Sequence, residues 1–262
     1  MTPPRVLVVA GSDSGGGAGI QADIKTCFAL GAHPSTAVTA LTAQNSLGVQ
    51  GVWPTPVAGV REQIRSVLGD IGADAVKTGM LATAEIASAV ADELAASRLP
   101  LVVDPVCVST TGAALLTPEA LEVYRLRLIA MATVVTPNVP EVKALAGVEV
   151  RARADLLAAA EAFMAMGARW VLVKGGHLAA DAVDLLYDGD QVIELTSERI
   201  DTEHTHGTGC TLASAIATRL AYGDDVPAAV RAAKDFVTEA IRRSYPLGSG
   251  IGPAAQWVRG AG

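Results

Sequence analysis

The sequence has no excess of positive charge and no apolar run long enough to cross a membrane. Its formal net charge is −7 and its isoelectric point is near 5.1, which argues against binding to nucleic acid or to a membrane surface. The mean hydropathy is positive at +0.37, yet no run approaches the ~18 apolar residues of a membrane span. We therefore expect neither nucleic acid nor a membrane among the partners.

Cysteine is also scarce, and its spacing excludes two common uses. Cys27, Cys107 and Cys210 are an odd number at unrelated spacings, so they predict neither a disulfide framework nor a metal site with cysteine ligands. The first five residues do not resemble a signal peptide. Together these features predict a protein of the reducing cytoplasm.

Aromatic residues make up only 4% of the chain, although 50% of the residues are hydrophobic. The core must therefore be built from valine, leucine, isoleucine and alanine. We find no linker, charge block, repeat or low-complexity tract, so we expect residues 1–262 to form a single domain. The 26 glycines suit many tight turns between strands and helices.

Short apolar runs alternate with segments of helical periodicity along the whole chain. The predicted strands are residues 6–10, 36–41, 75–76, 101–103, 133–135, 170–173, 183–187 and 192–195. The predicted helices are residues 19–30, 57–68, 83–96, 155–166, a helix from 117, one from 139, one after 210 and one near 226–241. Asp188-Gly189-Asp190 marks a hairpin between the last two strands. This order predicts an α/β fold with a mostly parallel sheet, helices on both faces and one short antiparallel hairpin.

Polar or glycine residues follow the predicted strands where each one ends. They are Gly11, Gln44, Lys77, Asp104, Asn138 and Lys174. Because ligands bind beyond the carboxyl ends of parallel strands, these residues predict a polar crevice at one edge of the sheet. Each also has a simpler interpretation, such as a turn residue for Asp104, a helix cap for Asn138 or a solvated strand end for Lys174.

The segment from His204 to Thr211 is the centre of the functional prediction. Gly207 and Gly209 precede a helix, and exposed N–H groups at a helix N-terminus form an anion site together with the helix dipole. Cys210 lies in the first turn, where the same dipole is expected to lower the pKa of its thiol. Taken alone, the segment could equally be an ordinary helix entry with a small buried cysteine.

The contents of the crevice favour phosphoryl transfer. Lys174 and the helix N-terminus could hold anionic oxygens, and Asp104 and Glu141 could hold Mg²⁺ directly or through water. Cys210 could accept the proton of an attacking hydroxyl. Since the transition state of phosphoryl transfer is loose, charge stabilisation should contribute more than the base.

A series of motifs across nearly the whole chain resembles the bacterial hydroxymethylpyrimidine/phosphomethylpyrimidine kinases of the ribokinase-like superfamily. The motifs are AGSDSGGGAGIQAD from residue 10, TAQN from 42, KTGML from 77, VDPV from 103, TPN from 136, Glu141, VKGGH from 173 and HTHGTGCT from 204. The resemblance implies a ribokinase-like three-layer fold. It also implies two successive phosphorylations of 4-amino-5-hydroxymethyl-2-methylpyrimidine by ATP, in thiamine biosynthesis, by a homodimer.

The resemblance further implies a role for each matching residue. Gln44 is expected to pair with the aminopyrimidine edge, and Gly11, Asp23 and Met80 to line the same pocket. The expected anion hole and base are Gly207, Thr208, Gly209 and Cys210. The residues expected to serve ATP and Mg²⁺ are Asp104, Asn138, Glu141, Lys174 and Lys234.

Two segments depart from the family pattern. The tail reads Gly250-Ile251-Gly252-Pro253, where the family usually has Gly-His-Gly-Pro. The segment after Asp104-Pro105 ends Thr111-Gly112-Ala113, where Ser-Gly-Asp is frequent, which leaves that loop one carboxylate short. Neither departure touches the Gly207 segment, Gln44 or Lys174.

Two other functions fit the same motifs. A related vitamin kinase acting on pyridoxal or pyridoxine would also carry a Gly-Thr-Gly segment, although Gln44 with Asp23 favours the pyrimidine. A catalytically silent pyrimidine-binding module would bind the pyrimidine without consuming ATP. His204 and His206 do not make a convincing metal pair without a third ligand.

Overall fold

A computed structural model describes residues 2–107, 116–176 and 182–258. The departure at Thr111-Gly112-Ala113 lies outside the described residues. Among the described residues, no helix is long and apolar enough to cross a membrane.

The described strands form one nine-stranded sheet in the order β3-β2-β1-β4-β5-β6-β7-β8-β9. The strands are β1 (Arg5–Asp13), β2 (His33–Asn45), β3 (Gly48–Pro54), β4 (Ala75–Thr78), β5 (Leu101–Val103), β6 (Val134–Val135), β7 (Val171–Val173), β8 (Ala182–Tyr187) and β9 (Val192–Ser197). Pairing is parallel from β2 through to β7, and antiparallel for β3 at one edge and β8 and β9 at the other. The predicted mostly parallel sheet is therefore confirmed.

Helices connect the strands. They are α1 (Gly19–Ala29), α2 (Val57–Ser66), α3 (Ala84–Ala95), α4 (Pro118–Val123), α5 (Ile129–Met131), α6 (Val139–Ala146), α7 (Leu156–Met164), α8 (Thr208–Ala221) and α9 (Val226–Arg242). Side-chain caps begin several of them. The Thr83 and Thr117 hydroxyls accept from the N–H groups of Ile86 and Ala120 at the starts of α3 and α4.

The sheet is covered on both faces, because alternate residues of each strand face opposite sides. Leu7 and Val9 of β1 belong to a core that includes residues of α2, α3 and α7. Val6, Val8 and Ala10 belong to a second core that includes residues of α1, α8 and α9. This arrangement confirms the predicted three-layer fold.

The structure differs from the predicted elements mainly at the sheet edge beside the site. β1 continues past Ala10 to Asp13, because Ser12 and Asp13 still pair with β2 after an irregularity in register. β3 was not predicted, since its largely exposed residues lack an apolar alternation. The helix predicted over 57–68 ends at Ser66 and continues as a π-helical turn over Val67–Ile71.

Candidate active site

A cavity of about 650 Å³ opens at the edge where the parallel strands end. The predicted site residues that line it are Gly11, Gln44, Met80, Asp104, Asn138, Glu141, Lys174, Gly207, Thr208, Gly209, Cys210 and Lys234. The structure thus brings together side chains from strands that are far apart in sequence. This is the crevice that the polar strand ends predict.

The anion cradle lies at the start of α8. Gly207 has a φ of +81°, and a Cβ there would lie 1.9 Å from the carbonyl oxygen of Gly17, so only glycine fits. Among the described residues, no acceptor is hydrogen-bonded to the backbone N–H groups of Gly209 and Cys210. These free donors and the helix dipole favour an anion at this point.

Lys174 lies directly opposite the cradle. A Cβ added to Gly209 would lie 3.5 Å from Lys174 Nζ and 3.7 Å from Asp104 Oδ2. Lys174 Nζ is itself 3.1 Å from Asp104 Oδ1 and 4.0 Å from Glu141 Oε2. A negatively charged group in this space would therefore meet both backbone amides and an ammonium.

The local fold fixes the two carboxylates of this cluster. Asp104 follows β5 and accepts a hydrogen bond from Thr136 Oγ1 at 3.1 Å. Glu141 and Asn138 form a capping box at the start of α6: the Glu141 carboxylate accepts from Asn138 N, and the Asn138 side chain accepts from Glu141 N. Asn138 therefore both caps a helix and borders the cavity.

Burial governs the protonation of this cluster. It raises the pKa of the Glu141 carboxyl to about 7, although Lys174 opposes the shift. Burial alone would lower the pKa of Lys174, but Asp104 and Glu141 together raise it. Lys174 is therefore a stable ammonium beside a carboxyl that titrates near neutral pH.

Asp104 and Glu141 suit a magnesium ion only in part. Among the described residues, no group of three or more His, Cys, Asp or Glu side chains could hold a metal. Mg²⁺ commonly takes one or two carboxylates and completes its shell with water and substrate phosphates. The two carboxylates thus fit Mg²⁺ that arrives with a nucleotide.

The prediction of a lowered pKa for Cys210 is wrong for this structure. Burial raises the pKa of its thiol to about 12, although Lys77 and the Gly19 backbone N–H act in the opposite direction. Loss of solvation outweighs the helix N-terminus here. Cys210 is therefore a neutral thiol before substrate binds.

The structure corrects the placement of Lys77, which the strand ends predict in the crevice, and of Asp23, which the resemblance implies in the pyrimidine pocket. Both side chains are fully buried, and Lys77 Nζ lies 2.9 Å from Asp23 Oδ1. Ser214 Oγ, one turn beyond Cys210 on α8, donates to the same oxygen at 2.6 Å. Neither residue is among those that border the cavity, and each of the two buried charges is paired with the other.

Lys234 borders the cavity but is engaged by a neighbouring carboxylate. Its Nζ lies 2.6 Å from Asp184 Oδ2, while Asp184 Oδ1 accepts from the Gly175 N–H at 3.0 Å. A Cβ at Gly175 would lie 2.0 Å from the Val183 carbonyl oxygen, so the backbone is close-packed there. The pair therefore ties α9 to the turn that carries Lys174.

The end of the cavity near β1 and β2 carries the residues expected to hold the pyrimidine. A Cβ at Gly11 would lie 2.6 Å from Met80 Cε, so the methionine packs on bare backbone. Thr39 Oγ1 donates to the Met80 carbonyl at 2.7 Å. Ser14 Oγ donates to the Gln44 carbonyl and accepts from the Gln44 N–H, each at 2.8 Å. Hydrogen bonds from Thr39 and Ser14 thus hold the backbone of Met80 and of Gln44 in place.

Sequence reasoning missed Asp13 and His206, which also line the cavity. The Asp13 carboxylate accepts from the N–H groups of Gly15, Gly17 and Ala18, and it lies 3.0 Å from His206 Nε2. His204 has another partner: its Nδ1 accepts from the Gly252 N–H in the tail. An aspartate inside a glycine-rich turn is the only sequence signal that points to this arrangement.

Comparison with known proteins agrees with this geometry. Residues 13–255 match the phosphomethylpyrimidine kinase family. The chain is 60% identical over 261 residues to the hydroxymethylpyrimidine/phosphomethylpyrimidine kinase of Streptomyces coelicolor, covering 99% of this chain and 97% of that protein.

Two solved structures are similar over most of the chain. The ADP complex of Bacillus subtilis pyridoxal kinase superposes with a TM-score of 0.91 at 40% identity, over 97% of this chain and 98% of that one. Phosphomethylpyrimidine kinase of Clostridium difficile superposes with a TM-score of 0.82 at 39% identity, over 91% and 99%. The chain belongs to the phosphomethylpyrimidine kinase family of ribokinase-like phosphotransferases.

Proposed function

We propose that this protein transfers the γ-phosphoryl group of ATP to 4-amino-5-hydroxymethyl-2-methylpyrimidine, and then phosphorylates the monophosphate to the diphosphate, in thiamine biosynthesis. One observation carries the proposal. The anion cradle at residues 207–210, Lys174 and Gln44 line a single cavity. The donors for a phosphoryl group and the amide for a pyrimidine edge therefore share one site.

The nucleotide is assigned to the Lys174 side of the cavity. Lys174, Asn138 and Lys234 lie near the carboxyl ends of β6 and β7 and on α9. Mg²⁺ held by Asp104 and Glu141 would neutralise charge on the phosphates. Lys174 would contact the transferred group from the side opposite the amides of Gly209 and Cys210.

In the first step, the substrate hydroxyl oxygen forms a bond to the γ-phosphorus, and the bond from that phosphorus to the bridging oxygen of ADP breaks. The hydroxyl proton passes to Cys210 Sγ. A neutral thiol cannot accept a proton, so Cys210 must first release its own proton to bulk water, after which the thiolate takes the hydroxyl proton. Because the transition state is loose, the cradle supplies more of the rate than the base does.

The second step makes a different demand on Cys210. Its acceptor is a phosphate monoester, whose second pKa is about 6, so the attacking oxygen is already anionic at neutral pH. No base is needed, whereas the cradle and Lys174 are needed in both steps. The two phosphorylations can therefore be separated by a change at Cys210.

Of the two alternative functions, a pyridoxal or pyridoxine kinase has support from the comparisons, because a solved structure with a TM-score of 0.91 is a pyridoxal kinase. Among the expected substrate-binding residues, Gln44 supports the pyrimidine whereas Asp23 is fully buried in its pair with Lys77, and the 60% identical relative is a hydroxymethylpyrimidine/phosphomethylpyrimidine kinase. Side-by-side turnover with the pyrimidine and with pyridoxal separates the two. A higher kcat/KM for pyridoxal would overturn the preference.

The direct test incubates the purified protein with ATP, Mg²⁺ and the hydroxymethylpyrimidine, and resolves the products by mass over time. We expect the monophosphate first and the diphosphate later, each with stoichiometric ADP. Pyrimidine binding without ATP consumption would instead indicate a silent binding module. A product that stops at the monophosphate would remove the second step from the proposal.

We further propose that the chain acts as one domain, assembles as a homodimer and works in the cytoplasm. One continuous sheet supports the single domain. The exposed apolar side chains of Leu41 on β2 and Trp53 on β3, which pair across the two strands, offer a surface that a second copy could cover. Light scattering coupled to gel filtration tests the dimer, and a monomeric mass at micromolar concentration would contradict it.

A further inference from the structure

Two polar side chains meet the amide of Gln44 at the inner end of the cavity. One amide position, assigned as Nε2, lies 3.2 Å from His206 Nε2. The other, assigned as Oε1, lies 3.3 Å from Thr42 Oγ1. The oxygen and nitrogen of a glutamine amide have the same shape, so the neighbouring donors and acceptors decide which atom occupies which position.

Asp13 determines that the Nε2 atom of the His206 ring carries a hydrogen. Burial alone would raise the pKa of the Asp13 carboxyl, but hydrogen bonds from His206, Ala18 and Gly15 together hold it below its ordinary value. Asp13 is therefore an anion that can only accept. Since His206 Nε2 lies 3.0 Å from Asp13 Oδ2, it carries a hydrogen and acts as a donor.

Thr42 determines which atom of the Gln44 amide lies at its other end. Its Oγ1 lies 2.9 Å from the Ser12 carbonyl oxygen, which can only accept. The one hydrogen of the Thr42 hydroxyl is thus committed to Ser12. The hydroxyl must accept from Gln44, so the amide atom beside it must be a donor.

We propose that His206, held by Asp13, is a positioning residue that fixes the Gln44 amide with its oxygen towards His206 and its nitrogen towards Thr42. At Thr42 the amide atom must donate, and at His206 an amide N–H would face the Nε2–H that already points to Asp13, so only the amide oxygen can share that hydrogen. The imidazole itself cannot turn freely, because a Cβ at Gly17 would lie 2.5 Å from His206 Cδ2. His206 is only 13% exposed and Asp13 only 3%, so water competes little with this network.

The fixed orientation has a consequence for the substrate class, and this consequence rests on the proposed function. Gln44 retains one N–H of its amide nitrogen and one lone pair of its oxygen for a ligand. An aminopyrimidine edge offers the complement, a ring-nitrogen acceptor beside an exocyclic amine donor. A 4-oxo pyrimidine presents an N–H donor beside a carbonyl acceptor, so the fixed amide selects against it.

The test measures dissociation constants by calorimetry for the 4-amino substrate and for its 4-oxo analogue. We expect His206→Ala to weaken binding of the 4-amino compound by about tenfold, the effect of one buried hydrogen bond. The ratio between the two compounds should fall by a similar factor, because the freed amide can turn to suit either edge. His206→Gln, which keeps an N–H near the Nε2 position, should restore most of the ratio.

A double-mutant cycle with Gln44→Ala shows whether His206 acts through Gln44. In the Gln44→Ala background, His206→Ala should change the dissociation constant of the 4-amino compound by less than about twofold. His204→Ala is the matched control, since His204 is two residues away and contacts the tail. It should leave the 4-amino to 4-oxo ratio unchanged.

Thr42→Val addresses the possibility that His206→Ala does not fold. It removes the acceptor at the other end of the amide with little change in shape, and it should lower the ratio as well. Equal weakening of both compounds in folded His206→Ala and Thr42→Val, or full additivity with Gln44→Ala, would overturn the inference and leave the proposed function intact. Failure of the unmodified protein to bind the 4-amino compound would overturn both.

Discussion

At the scale of the residue, Cys210 shows why position alone does not set reactivity. The sequence places it correctly in the first turn of α8, where the helix dipole favours a thiolate. Burial has the opposite effect and is larger, so the pKa of the thiol rises to about 12. The sequence could not reveal this outcome, because solvent exposure depends on elements far along the chain.

The first prediction at this scale concerns the two phosphorylations. Cys210→Ala should lower kcat for phosphorylation of the hydroxymethylpyrimidine by about 10²-fold, within the range of a general base. It should lower kcat for the monophosphate by less than about threefold, since that acceptor is already ionised. The two reactions are started separately, each with its own substrate. Equal losses in both would show that the sulfur acts in some way other than as a base.

A second prediction follows from the raised pKa. The alkylation rate of Cys210 by iodoacetamide should rise about tenfold for each pH unit between pH 7 and pH 10, because the thiolate fraction rises by that factor below the pKa. Peptide mass spectrometry separates Cys210 from Cys27 and Cys107, and free cysteine provides the control. A rate that levels off below pH 8 would mean that the thiol is already activated.

At the scale of the element, β4 and α1 meet through the buried pair of Lys77 and Asp23, and Ser214 of α8 joins them by its hydrogen bond to Asp23. In the sequence, Lys77 follows the apolar pair Ala75-Val76, and Asp23 lies in a predicted helix. Neither position distinguishes a residue of the site from a buried one. It cannot show that the lysine side chain ends beside Gly79, where a Cβ would lie 2.9 Å from its Nζ. The polar strand ends therefore predicted Asp104 and Lys174 in the crevice correctly but misplaced Lys77.

A third prediction tests this pair. Lys77→Met should lower the free energy of unfolding by about 3–5 kcal/mol, because it leaves the Asp23 charge buried without a partner. The melting temperature should fall by roughly 10 °C for a chain of this size. Adding Asp23→Leu should recover much of the loss, since the buried charge is then removed.

The control for this prediction is Lys143→Met, whose lysine is 68% exposed in its ion pair with Glu149. Its melting temperature should change little, because exposed ion pairs contribute about 0–1 kcal/mol. Calorimetric scans of the four proteins provide the comparison. A Lys77→Met protein as stable as the control would show that the buried pair does not stabilise the fold.

At the scale of the whole molecule, the alternation of strands and helices in the sequence was sufficient to predict a parallel sheet covered on both faces. The edge strand β3 was missed, because exposure on both of its faces leaves no apolar period to detect. The contact between Asp13 and His206 joins residues 193 positions apart, and no local pattern encodes it. Sequence patterns thus identified the strand ends that form the site, whereas contacts between its loops required the structure.

The free amides at the start of α8 are expected to stabilise the transferred phosphoryl group. The most direct test is the single-turnover rate of Gly209→Ala, since a methyl there would enter the space between the amides, Lys174 and Asp104 at ordinary contact distances. Gly69→Ala is the control, because nothing lies within 4 Å of a Cβ at that position. We predict a loss of 10²-fold or more for Gly209→Ala with an unchanged melting temperature, because the methyl keeps the phosphoryl group away from the amides, an effect comparable to the loss of one oxyanion donor. A folded Gly209→Ala protein that phosphorylates the pyrimidine as fast as Gly69→Ala would show that these amides do not stabilise the transferred group.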